Sequence, residues 1–217
     1  MTDLPRRTLT ALVYGAVVLA AVRGPHELFL LLVAAMAGLS LFELYGLRRA
    51  GPAALLELAL VATGLGSLVY LRFAPAPPPL GCGIDCLFSP VVMTIVAVWG
   101  ADVAAYVIGS TIGGRKIVPP LSPGKTWAGT IAGIVAAGAV VVLWSRPGLG
   151  VPAYVWALAV LVGPAAFAGD LLESWVKRRA GVKNSGTLLP GHGGVLDRID
   201  SLLGASPVVA ATVLLIS

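Results

Sequence analysis

Three observations predict an all-α polytopic integral membrane protein with about seven transmembrane helices. Hydrophobic residues make up 58% of the 217-residue chain and charged residues only 12%, against roughly 25% charged in soluble domains. The mean hydropathy is accordingly high, +0.93. The apolar residues run continuously rather than alternating, which favours helices over strands. The basic residues collect in every second gap between the apolar runs.

A helical span needs about 20 mostly apolar residues. Candidate spans are Thr8–Val22, Glu27–Leu47, Pro52–Leu71, Phe88–Ile108, Trp127–Trp144, Pro152–Trp175 and Ser201–Ser217, each bounded by Pro, Gly or Arg. The first follows Arg6-Arg7 and is short; it reads as a secretory signal or a retained anchor, and the six runs after it favour the anchor. There is no internal repeat. The chain divides into residues 1–87, with about three spans and the loop APAPPPLGCGIDC, and residues 88–217, which carry the polar chemistry. Cys82 and Cys86 in that loop could form a disulfide in an oxidising compartment.

With the N-terminus in the cytoplasm, all but three of the 15 Lys and Arg residues lie inside, the exceptions being Arg23, Arg72 and Arg146. The net charge of +5 therefore describes a basic cytoplasmic face suited to anionic headgroups or substrates. Nucleic acid is not expected as a partner, because no recognition motif accompanies the charge. The acids follow the same split. Glu43, close to Arg48, and Glu57 are expected to pair with arginines at helix ends. Asp102 and Asp170 sit among other polar features, where an intramembrane acid marks function.

Polar residues gather in three clusters, all on the cytoplasmic side, and predict a polar catalytic cavity there. In WGADVAAYVIG, Asp102 and Tyr106 share a helix face. In GGRKIVPPLSPGKTWAG, the GKT invites a P-loop reading, but Pro119 stands where that motif needs glycine and no strand precedes it. Phosphate can still be held there: Ser122-Pro123 is a candidate helix start whose free N–H groups attract anions, and Lys125 adds positive charge. In GDLLESWVKR, Asp170, Glu173, Ser174, Lys177 and Arg178 recur on one helical face. The following loop is rich in glycine, carries His192, and leads to Asp197 and Asp200 three residues apart. Carboxylates together with substrate phosphates are the usual way to hold Mg2+. Acids for cations, bases for phosphates and close-approaching backbone suggest phosphoryl or nucleotidyl transfer on a lipid.

The stretch SWVKRRAGVKNSGTLLPGHGGVLDRID resembles the signature of the phosphatidate cytidylyltransferases, or CDP-diacylglycerol synthases: S-x-x-K-R, four residues, K-D, five residues, then P-G-H-G-G-x-x-D-R-x-D. Ser174, Lys177, Arg178, Lys183, Pro190, Gly191, His192, Gly193, Gly194, Asp197, Arg198 and Asp200 match it, and SPGKTWAG, ADVAAY and GDLLES resemble further family segments. The resemblance runs from Trp99 to about Pro207. It implies a bacterial inner-membrane enzyme, a homodimer, that joins CTP and phosphatidate into CDP-diacylglycerol and pyrophosphate. Mg2+ is the implied cofactor, and K+ a candidate second cation. The implied catalytic residues are Asp170, Lys177, Arg178, His192, Asp197, Arg198 and Asp200. Ser122, Pro123, Lys125, Thr126, Asp102, Ser174, Lys183, Gly193 and Gly194 are implied to bind substrate. Asp170, Asn184 and Glu173 are the metal positions.

One position departs from the pattern: the family's Lys-Asp is Lys183-Asn184 here. Asparagine keeps a carbonyl oxygen but loses the charge a hard dication prefers. The site is read as weakened, through a substitution that traps or inactivates the enzyme, through natural variation, or in an inactive paralogue. Alternatives in function are a lipid nucleotidyltransferase with another lipid substrate, a membrane transporter, and a structural scaffold. A transporter would place its acids at the bilayer midplane and often carry inverted repeats.

Overall fold

A computed structural model describes residues 4–74, 80, 89–145, 151–188 and 193–217, with side chains from residue 13 onward. Cys82, Cys86 and His192 lie outside the described residues. Among the described residues there are seven α-helices: α1 (Leu4–Arg23), α2 (His26–Gly46), α3 (Pro52–Phe73), α4 (Pro90–Thr111), α5 (Trp127–Trp144), α6 (Ala153–Arg179) and α7 (Leu196–Ile216). A 3-10 turn, Leu47–Ala50, follows α2. Six helices, α2 to α7, are long and apolar enough to cross a membrane, and the apolar stretch Val13–Arg23 of α1 is shorter. The expected all-helical polytopic membrane protein is therefore the observed one.

The outer surface is apolar. Leu143 is 79% exposed and Leu215 85%, as lipid permits and water does not. Inside, α7 is the most buried span. It packs on α3 and α6, with Leu196, Ile199, Leu203, Val209 and Val213 fully enclosed.

Small residues set the crossings near the polar end. A Cβ on Gly169 of α6 would lie 3.0 Å from the Cα of Gly204 on α7 and would collide with the carbonyl of Asp200. Only glycine lets two backbones approach so closely. The crossing holds Asp170 and Asp200 at one level. Gly129 of α5 does the same against α4, its would-be Cβ 3.0 Å from the Cα of Gly109 and 2.5 Å from the carbonyl of Ala105.

Two acids differ from expectation. Arg48 bonds the Tyr45 carbonyl at 2.9 Å and lies over the Tyr45 ring, leaving Glu43 to another task. Glu43 turns inward, is 3% exposed, and reaches the start of α7. Glu57 is fully buried, and neither of its carboxylate oxygens has a hydrogen-bond partner among the described residues. Burial takes both carboxyl groups away from the solvent-facing arginines they were expected to meet.

Candidate active site

Four segments converge at one end of the bundle: the end of α4, the loop 112–126, the end of α6 with the loop after it, and the first turn of α7. The loop 112–126 reverses through Gly113 (φ 66°) and Gly114 (φ 90°), a backbone region that favours glycine. It closes on itself through an antiparallel bridge of Lys116 and Thr126, with bonds from Ile117 N–H to the Lys125 carbonyl (3.1 Å) and from Trp127 N–H to the Arg115 carbonyl (3.1 Å). Helix α5 begins after Thr126, whose hydroxyl accepts from Gly129 N–H at 3.1 Å. Ser122-Pro123 is a turn before the helix rather than its start, and the capping role falls to the buried Thr126.

The closed loop delivers Lys125 to α6. Its ammonium pairs with Asp170 and lies 4.9 Å from the Phe167 ring centroid. Ser174 hydroxyl sits one turn on, 3.4 Å from the other Asp170 oxygen. Arg178 ties two loops together, donating from Nε to the Leu121 carbonyl (3.2 Å) and from a terminal nitrogen to the Val182 carbonyl (3.0 Å).

Lys177 is buried between two carboxylates, 2.5 Å from Glu173 Oε2 and 2.5 Å from Asp197 Oδ1. Asp197 also accepts from Ser185 N–H (3.0 Å), Ser185 hydroxyl (3.0 Å) and Gly194 N–H (2.8 Å). A carboxylate held by so many donors is a fixed part of the frame. Asp200 accepts from Ser201 N–H at 2.7 Å.

Two cavities open here. One, of about 820 Å³, is polar and lined by Asp102, Asp170, Ser174, Lys177, Arg178, Asp197, Arg198 and Asp200 among others. Ser122, Lys183, Asn184 and Gly193 complete its rim. The other, of about 650 Å³, is mostly apolar and runs between α4, α5 and α6 past Ala105, Gly109, Gly133, Ile134 and Phe167. Lys116, Lys125, Thr126 and Tyr106 also border it. The cavities share Asp102, Asp170 and Ser201.

Most of the residues singled out in the sequence thus meet at one place. Three do not line either cavity: Pro123 is exposed on the loop, Gly194 is buried beneath the rim, and Glu173 is fully buried with one oxygen on Lys177 and its carboxyl group beside that of Asp200. Among the described residues, no group of three or more His, Cys, Asp or Glu side chains is gathered as a metal cage. Sequence reasoning missed Lys116, Ser185 and Glu43. Lys116 and Ser185 stand within the quoted polar stretches, while nothing local marks Glu43.

Apolar helices and a cation-lined pocket at one end of the bundle define a polytopic membrane protein with a polar chamber beside an apolar one. The chain belongs to the cytidylyltransferase family, whose sequence model matches residues 83–216. It is 48% identical over 127 residues to the phosphatidate cytidylyltransferase of Brucella suis biovar 1 (strain 1330), covering 56% of this chain and 46% of that protein. It is 47% identical over 124 residues to the phosphatidate cytidylyltransferase of Pseudomonas aeruginosa, again covering 56% and 46%. The Haemophilus influenzae protein of the same name is 43% identical over 119 residues, covering 52% and 41%. The chain spans about half the length of the curated relatives it matches.

Proposed function

We propose that the chain is a phosphatidate cytidylyltransferase, converting CTP and phosphatidate to CDP-diacylglycerol and pyrophosphate. The observation that carries this reading is the junction of the two cavities at Asp102, Asp170 and Ser201. One substrate is a polar triphosphate and the other a phosphate on two acyl chains. A polar chamber meeting an apolar one at a pair of acids suits the two. Both chambers fall in the size range of ligand sites, roughly 300–1,000 Å³.

In the reaction an oxygen of the lipid phosphate forms a bond to the α-phosphorus of CTP. The bond between the α- and β-phosphates breaks, and pyrophosphate leaves with its electron pair. The phosphate monoester is largely dianionic at neutral pH, its second pKa being about 6, so no base is required. The task of the protein is to bring two anions together. Lys183 and Arg198, exposed on the polar rim, face the triphosphate. Lys125 and Lys116, bordering the apolar chamber, face the lipid phosphate. Arg178 keeps the two loops closed around the site.

Mg2+ belongs to the same proposal. The donor set fits, since this ion binds through one or two carboxylates plus substrate phosphates rather than a full protein cage. Asp170 and Asp200, with the amide oxygen of Asn184, would hold it. When bound it would neutralise phosphate charge as a Lewis acid. K+ as a second cation and a homodimer rest on the family resemblance alone. The polar end is assigned to the cytoplasmic face of a bacterial inner membrane, because Arg48, Arg49, Arg115, Lys116 and Arg179 lie there and Arg23 and Arg72 at the far end.

The test is formation of CDP-diacylglycerol from labelled CTP and phosphatidate in detergent, with Mg2+ or with chelator, for this chain and its Asn184→Asp form. Chelator-sensitive product from either form is expected, with the Asp form faster. No product from either, under conditions where a known synthase works, overturns the proposal.

A further inference from the structure

Glu43 lies on α2, outside the residues that the family model matches, and is not part of either cavity. Its carboxylate nevertheless makes three contacts at the heart of the signature region. Oε1 accepts from Val195 N–H at 2.8 Å, and Oε2 accepts from Leu196 N–H at 3.0 Å and lies 2.9 Å from the Ser185 hydroxyl. Helix α7 has no cap of its own, for the residue at its N-cap position is Val195. The first N–H groups of a helix need an acceptor, and here a buried acid from another helix supplies it. A negative charge at that end also opposes the positive pole of the helix dipole.

The same carboxylate explains two of the glycines. A Cβ on Gly186 would stand 2.7 Å from Glu43 Oε1, and one on Gly194 would stand 2.6 Å from that oxygen and collide with the Ser185 hydroxyl. Neither glycine has a positive φ. They are side-chain-free because Glu43 occupies the space. Ser185 then links this cap to the site: its hydroxyl is within bonding distance of both Glu43 Oε2 and Asp197 Oδ2, and Asp197 holds Lys177.

We propose that Glu43 is a positioning residue for the reaction, fixing the rotation and height of the first turn of α7, and with it Asp197, Arg198 and Asp200 against Lys177. The proposal rests on the function proposed above, but its test separates the two. Glu43→Ala, Glu43→Gln and Gly194→Ala would be made in the full-length chain, in whichever form at position 184 turns over. Residue-level hydrogen exchange and melting temperature would be read beside kcat and KM. Expected for Glu43→Ala is faster exchange confined to residues 193–198, kcat lower by about 100-fold, the scale for a misplacement near 1 Å, and KM for CTP changed less than threefold. Glu43→Gln keeps one acceptor and should fall between. In the Glu43→Ala background, Gly194→Ala should cost less than it does in the parent chain, because only its contact with the Ser185 hydroxyl remains.

Unchanged exchange at residues 193–198 overturns the proposal even if no form shows activity, in which case it is the functional reading that fails. Unchanged kcat also overturns it. So does a loss of activity that only tracks a fall in melting temperature and faster exchange throughout the chain.

Discussion

Lys125 and Asp170, 45 residues apart, are ion-paired at the junction of the polar and apolar cavities. One is a candidate phosphate ligand and the other a candidate metal ligand, and each satisfies the other. A phosphate or a cation entering the junction has to compete with that pair. Lys125→Ala is therefore expected to lower kcat/KM by about 100-fold while tightening the binding of Mg2+ or Mn2+ measured without nucleotide. Asp170→Asn should lose both turnover and that binding. Weaker metal binding in Lys125→Ala would contradict this arrangement.

Lys177 is set apart by burial from the other basic residues that line the polar cavity. It is shared between two carboxyl groups that have been taken out of water. Removing one member of a buried ion pair costs about 3–5 kcal/mol, because the remaining charge is stranded. Lys177→Ala should thus lower the melting temperature in detergent markedly as well as activity. Lys183→Ala, at an exposed rim position, should raise KM for CTP and leave the melting temperature within about a degree. Equal melting temperatures for the two variants would refute the buried role of Lys177.

The crossing of Gly169 and Gly204 leaves no room for a side chain. Gly204→Val should destabilise by about 1–3 kcal/mol through overpacking. It should also depress activity, since the helices parting are those that carry Asp170 and Asp200. A thermal melt and a turnover assay on the same preparation would check both.

Glu57 is a carboxyl group fully enclosed with no hydrogen-bond partner among the described residues. Burying such a group is unfavourable, and an apolar residue of similar volume removes the cost. Glu57→Leu is expected to raise the melting temperature. A clear fall would show that Glu57 meets a partner in the membrane.

The helices were legible because membrane spans announce themselves by length and apolarity. The stripe Asp170, Ser174, Lys177 and Arg178 was legible from helical spacing and lines the cavity. Glu173 shares that spacing yet faces the interior, since a stripe this wide straddles the border between cavity and packed core, and spacing alone does not locate the border. Ser122-Pro123 looked like a helix start because Pro favours the first position of a helix; Thr126 wins because the bridge to Lys116 holds the chain extended up to that point. Glu43 was illegible for a different reason. Its partners lie more than 140 residues away, and local pattern carries no information over that distance.

Under the proposed function, with CTP and phosphatidate as substrates, the seam between the apolar and polar chambers has a kinetic meaning. One substrate arrives from a volume and the other from a surface. The second is counted in molecules per unit area of bilayer, so its supply is set by mole fraction among neighbouring lipids rather than by molarity. Adding inert detergent at constant total phosphatidate should slow turnover, although nothing about the protein or its CTP has changed. The two products separate the same way, pyrophosphate into water and the nucleotide-bearing lipid along the plane of the membrane, so that each leaves by the door its partner substrate entered.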